Sequence, residues 1–273
     1  MQPRVIAVAM QKGGVGKTTV AVNLAAAMAG HFGLRTYISD FDGQCNATEA
    51  VLDYIPEGAP NLLTVLRSEA SFADCALPTP HHANLKIVPG SEELAFLERK
   101  IAEAGRWDVA VRELPRLLRQ SLPADADVIL LDTPPSLGLW LQVALGVADE
   151  VVIVSKAEKF SVQGIRQLVD TVHQVKRTTN PRLRIAAVML NMVRARTLEH
   201  AAFAAEYREQ FGDRVLSPEL PERIVIPASQ RDAVPLEFYT DAAAGEPRTF
   251  FRNLASELLE KIGLTAALPR ARA

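Results

Sequence analysis

Eight consecutive residues, Lys12 to Thr19, read KGGVGKTT and stand between an apolar run and a helical stretch. Gly13, Gly14 and Gly16 let backbone N–H groups turn inward around an anion, and the start of the following helix adds its partial positive charge. Lys17 supplies a mobile full charge, and the Thr18 hydroxyl is suited to hold Mg2+. A glycine turn that merely capped a helix would leave the pair Lys17 and Thr18 without a purpose. The segment Gly13, Gly14, Val15, Gly16, Lys17, Thr18 and Thr19 is therefore expected to cradle nucleotide phosphates. Asp40 and Asp42 in DFDGQCNAT, and Asp132 at the end of VILLD, also follow apolar runs. Carboxylates beside a phosphate loop repel a nucleotide unless they serve the metal or the attacking water. Aspartates at strand ends also cap turns and helices, and it is the phosphate loop that turns the reading toward chemistry.

These side chains need a scaffold, and the hydrophobic pattern supplies one. Arg4 to Met10 is a short Val/Ile-rich run ending in the glycine loop, which predicts a buried strand. From Lys17 to His31, Val20, Leu24, Ala27 and Met28 recur at helical spacing, and Gly33 marks the stop before a second strand, Arg35 to Ser39. Further strands are predicted at Asn84 to Val88, Asp127 to Leu131, Glu150 to Ser155 and Arg184 to Leu190, with helices at Glu92 to Ala104 and Val162 to Arg177. Alternation of this kind predicts an α/β fold with a mostly parallel sheet flanked by helices on both faces. The stretches Pro56 to Pro60 and Leu77 to Pro80 read as loops, with His81 and His82 expected on the surface of the second. Neither resembles a domain linker, so residues 1–273 are read as one domain.

The loop departs from the GxxxxGK[ST] form: Gln11 stands where the first glycine would be, and a second lysine, Lys12, precedes the glycines. With this pattern the chain resembles the deviant Walker-A P-loop ATPases, the group of ParA partition proteins, MinD, nitrogenase iron protein and arsenite-pump ATPases. The resemblance implies ATP as the nucleotide. It also implies that Lys12 reaches across a sandwich dimer to the partner's phosphates, offsetting charge that builds during phosphoryl transfer. DFDGQCNAT is similar to the DxDPQxN segment of ParA proteins, Gln44 and Asn46 matching and Gly43 replacing the proline. Asp42 is thereby implied to orient or activate the water and Asp40 to lie near the metal, with a looser turn at Gly43. VILLDTPPSLG looks like the ParA switch segment, which implies that Asp132 binds Mg2+ through water. VVIVSKAEKFSVQGI and LNMVRART extend the likeness to about Thr197. By position, Asn191 corresponds to an adenine-side residue and Pro221 to the loop against the base.

Composition narrows the choice within that group. The chain has 273 residues, is 48% hydrophobic and 23% charged, and carries a net charge of −2. This is the balance of a globular protein, with enough mass to bury a core without staples. Cys45 and Cys75 have neither CxxC spacing nor a histidine cluster beside them, which argues against zinc and iron-sulfur sites. No apolar run is long enough for a membrane span, and the tail GLTAALPRARA lacks a bulky aromatic anchor, so a cytoplasmic protein with no membrane partner is expected. Residues 1–155 hold 12 Lys and Arg against 18 Asp and Glu, and residues 156–273 hold 18 against 14, giving −6 and +4. Arg194, Arg196, Arg223 and Arg231 in the basic half are the candidates for a non-specific DNA face.

The resemblance thus implies a ParA-type DNA-segregation ATPase of the short kind, without an N-terminal helix-turn-helix domain. It implies an ATP-dependent homodimer, nucleoid-associated through non-specific double-stranded DNA and stimulated by a ParB-type centromere-binding partner. The alternative is a ParA-like ATPase that positions a protein cargo, or a MinD-like one, without strong DNA binding. A metabolic ligase on the same loop ranks last, since no substrate-binding insertion is evident.

Overall fold

The computed structural model describes residues 2–156, 159–193, 198–217 and 220–264. Eight strands form one sheet: β1 (Arg4–Ala9), β2 (Thr36–Asp40), β3 (Leu77–Pro78), β4 (Leu85–Val88), β5 (Val128–Asp132), β6 (Glu150–Lys156), β7 (Arg184–Val193) and β8 (Leu220–Pro221). Their spatial order is β3-β4-β2-β5-β1-β6-β7-β8, and every pairing is parallel except the edge pair β3 and β4. The predicted strands are thus present, with boundaries shifted by one to three residues. The stretch Leu77 to Pro80, expected as a loop, instead contributes β3, because Leu77 and Pro78 pair with Ile87 and Lys86.

Ten helices accompany the sheet among the described residues: α1 (Lys17–Gly30), α2 (Asn46–Glu49), α3 (Leu62–Leu66), α4 (Glu93–Glu103), α5 (Trp107–Ser121), α6 (Leu139–Val147), α7 (Lys159–Thr178), α8 (Leu198–Phe211), α9 (Val225–Arg231) and α10 (Gly245–Lys261). The central strands are buried from end to end, as a parallel sheet covered on both faces requires. One layer is built on α1, which is apolar nearly all round and packs against α2 and α10; the other runs through α5, α6 and α7. In α10, Phe251, Leu254, Ala255, Leu258 and Leu259 are buried, as the amphipathic pattern of Thr249 to Ile262 anticipates. Helix α5 contains Pro115, which reads as a breaker in sequence. In the fold Pro115 is buried against Gly146 of α6, where an added Cβ would stand 2.5 Å from the proline ring.

His81 and His82 are not simply exposed. Both rings stack on Phe238, with centroids 6.0 and 5.8 Å away, and His81 Nε2 lies 2.8 Å from the Ala233 carbonyl oxygen. The pair fastens the β3–β4 edge to the C-terminal third of the chain.

Candidate nucleotide site

In a right-handed parallel sheet the loops that follow the strands gather at one end, and ligands settle where neighbouring strands diverge in connection. Here β5 lies between β1 and β2, and their C-terminal ends bring together the phosphate loop, Asp132 and Asp40, the last two being register partners. The loop's shape depends on glycine: Gly14 and Gly16 have φ of +69° and +89°, a region that side chains with a Cβ rarely enter. At Gly16 a Cβ would also stand 2.3 Å from Asn191 Nδ2. The first turn of α1 has no side-chain cap and no acidic residue, so its N–H groups face the cleft ready for an anion.

A cavity of about 470 Å³ is lined by the loop residues Gly13, Gly14, Gly16, Lys17 and Thr18, and by Asp42, Gln44 and Pro135 from the facing segments. Lys12 sits half-buried where the loop begins, Val15 is buried beneath it, and Thr19 is buried in the first turn of α1. Thr18 Oγ1 donates to Asp132 Oδ2 at 2.7 Å, while Asp132 Oδ1 is buried with no hydrogen-bond partner. A buried carboxylate oxygen left unpaired is costly, and a hydroxyl held against its neighbour is the donor set that suits a hard divalent cation. The residues therefore fit Mg2+. Among the described residues no three His, Cys, Asp or Glu side chains are grouped so as to hold a metal ion by themselves.

Burial dominates the electrostatics of the site. Burial, with Asp40 nearby, pushes the Asp132 carboxyl well above its ordinary range despite the Thr18 hydrogen bond and Lys17. Burial also pushes Asp40 up to about 6, against the hydrogen bonds it receives. Lys17 is lowered by its own burial, more than Asp132 and Asp42 raise it. All three shifts share the same physical cause, charged groups withdrawn from water without full compensation.

Asp40 and Asp42 divide their tasks. Asp40 Oδ2 accepts from the Thr48 N–H at 2.9 Å and the Thr48 hydroxyl at 2.8 Å, and Oδ1 accepts from the Asp42 N–H at 3.1 Å. Both oxygens of Asp40 thus hold the loop, and Gly90 packs closely beside them, where a Cβ would approach Asp40 Cγ to 3.1 Å. Asp42 is half-buried, accepts from the Gln44 N–H at 3.0 Å and lines the cleft. At Gly43 an added Cβ meets nothing closer than 3.8 Å, so the turn has room for a side chain there.

A second cavity, about 520 Å³, continues from Thr19 past Asn191 and Met192 to Pro221 and Ile224, with mostly apolar walls suited to a base. Asn191 is buried on β7 and its Nδ2 donates to the Val15 carbonyl at 2.6 Å, tying the base side to the phosphate loop. Pro221 ends β8 at the cavity wall. Sequence reasoning passed over Thr48, which holds Asp40, and Gln230, whose Nε2 donates to Thr19 Oγ1 at 2.9 Å. Thr48 stands within the DFDGQCNAT segment and could have been found there; Gln230 carries no local signal.

The four arginines proposed for DNA part company. Arg194 and Arg196 lie outside the described residues. Arg223 lines the base cavity and is clamped by Glu246 through bonds of 2.9 and 2.7 Å. Arg231 lines the phosphate cleft, 3.4 Å from Asp232.

The family model described as an AAA domain matches residues 3–185. The chromosome partitioning protein ParA of Caulobacter vibrioides is 31% identical over 94% of this chain and 94% of its own length. The chain belongs to the ParA/Soj family of partition ATPases. A second relative, the sporulation initiation inhibitor protein Soj of Bacillus subtilis, is 31% identical over 93% of this chain and 98% of its own. Among solved structures, a Mycobacterium smegmatis protein described as cobyrinic acid a,c-diamide synthase, with bound ATP analogue and magnesium, matches with a TM-score of 0.76. It is 26% identical, and the match covers 98% of each chain. The cleft of this ParA/Soj chain is therefore built on an architecture that accepts nucleotide and magnesium in another protein. Among the described residues no helix is long and apolar enough to cross a membrane.

Proposed function

We propose that this chain is a DNA-segregation ATPase that binds ATP with Mg2+, dimerises around it, and holds DNA without sequence preference until a ParB-type partner stimulates hydrolysis. The observation that carries the nucleotide chemistry is the Thr18 hydroxyl 2.7 Å from Asp132, whose other oxygen is buried and unpaired beside an uncapped helix start. Mg2+ held by Thr18 and Asp132 would supply neutralisation of the phosphate charge. Lys17 and the loop N–H groups bind and orient the phosphates, and Asp42 stands in the cleft, where it would hold the attacking water. Asp40, with both oxygens engaged, fixes the Asp42 loop. Lys12 is assigned to the partner's phosphates on the family resemblance. Contacts made only in the ATP state would favour the dimer in that state.

The test is binding of random-sequence duplex DNA by wild type and Asp42→Ala, without nucleotide, with ADP and with ATP, across a salt series. Binding that needs ATP, persists in Asp42→Ala and falls steeply with salt is the expected outcome. ATP-dependent dimers that never bind DNA would instead support positioning of a protein cargo. The clamping of Arg223 by Glu246 is the observation that favours this second reading.

A further inference from the structure

The sheet end opposite the phosphate loop carries another concave site. Helices α5 and α7 both pack on α6, and the half-buried Gln142 and Gly146 of α6 lie on the floor of a trough between them. One part of it, about 360 Å³, is lined by Arg112, Arg116 and Arg119 of α5, Val147 at the end of α6, and Thr179 and Arg182 beyond α7. It adjoins a cavity of about 350 Å³ that shares Arg112 and Thr179 and reaches Trp107.

Cations near helix C-termini ordinarily serve the last carbonyls. Here other groups already do so. Arg119 donates to the Val147 carbonyl at 2.7 Å and to Asp149 at 2.7 Å, while Asn180 Nδ2 donates to Leu145 O at 2.9 Å and Ala148 O at 2.6 Å. Among the described residues the Arg116 side chain has only Glu113, an exposed pair one turn away at 3.5 Å. The side chains of Arg112 and Arg182 make no ion pair or hydrogen bond among the described residues. Among the described residues Glu113 lines this part against four arginines, and Asp108 lines the adjoining cavity.

We propose that this trough docks an extended acidic peptide segment of a partner protein, its carboxylates paired with Arg112, Arg116 and Arg182. Guanidinium forks match carboxylates bidentately, and the half-buried Trp107 offers an apolar seat at the far end. A duplex presents phosphates on a convex rod, whereas a channel walled by two helices admits a single chain. The trough lies by the N-terminal ends of β6 and β7, so an occupant leaves the nucleotide cleft open.

The probe is a fluorescein-labelled Glu-rich decapeptide followed by anisotropy, with a Gly/Ser decapeptide as the uncharged control. Wild type should bind the acidic peptide and lose it with salt. The triple variant Arg112→Glu, Arg116→Glu, Arg182→Glu should bind about tenfold more weakly or worse, with nucleotide affinity unchanged. Arg99→Glu with Lys100→Glu, on α4, should bind as wild type does. The milder pair Arg112→Gln, Arg182→Gln repeats the measurement if the triple variant melts early. Absence of peptide binding, or equal loss in the α4 control, overturns the proposal. So does a triple variant that loses random-sequence duplex DNA while no form binds the peptide, which would make the trough a DNA contact.

Discussion

The two ends of the sheet treat their carboxylates in opposite ways. At the N-terminal end three acids are paired with arginines: Asp127 with Arg35 at 2.7 Å, Asp149 with Arg119 at 2.7 Å, and buried Glu150 with Arg184 at 2.7 Å and Arg4 at 3.4 Å. The Arg35 fork holds the Asp127 carboxyl below its usual range. At the C-terminal end no arginine among the described residues is bonded to Asp40, Asp42 or Asp132, and Lys17 beside them is itself buried. Charges paired within the protein hold the fold together; charges withdrawn from water and left incomplete hold free energy that a ligand of complementary charge recovers. The same residue type thus serves stability at one end and binding at the other.

Substitutions that exchange these roles would break the contrast. The largest effect is expected from Lys17→Ala, which should weaken nucleotide binding by about 100-fold or more through loss of a charge-assisted phosphate contact. Its unliganded melting temperature should be no lower than that of wild type, since a buried ammonium is removed; calorimetric titration and thermal melts read the two quantities. Glu150→Gln should do the reverse, lowering unfolding free energy by about 2 kcal/mol in urea titrations while nucleotide affinity stays unchanged. A shift in affinity with Glu150→Gln would show that the two ends are coupled.

The smallest effect sharpens the electrostatic reading. Because Asp40 rises to about 6 and Asp132 well above its ordinary range, the folded protein without ligand binds more protons than the unfolded chain once pH passes the ordinary value of 3.8. Stability from these groups therefore falls as pH rises through that window, and the deficit is complete above the folded pKa. Asp132→Asn removes part of the deficit. In chelator and without nucleotide it should melt about 2–4 °C higher than wild type near pH 7.5 and show no gain near pH 4. A gain of equal size at both pH values would point to packing rather than charge.

Much of this site was legible from the chain alone. KGGVGKTT marked the candidate anion cradle, and glycines at positions 14 and 16 adopt the left-handed backbone that such a loop needs. The Val/Ile runs predicted the central strands, because a strand buried on both faces leaves an unbroken apolar signature. Helix α5 was hidden by Pro115, a breaker by local rules that the fold tolerates through contact with Gly146. Helix α8, LEHAAFAAEYREQF, lacks a clear apolar stripe, and β3 is too short for any periodicity.

Sequence by itself singled out the candidates for phosphate and metal and determined the alternation that places them at strand ends. Tertiary structure decided their division of labour. Both Asp40 oxygens are taken by Thr48 and the Asp42 N–H, Asp132 keeps one oxygen unpaired against Thr18, and Gln230, far along the chain, reaches Thr19. Local spacing records which groups stand near one another along a strand or a helix. Which lone pairs remain free depends on neighbours brought in by chain crossings, and no periodicity encodes them.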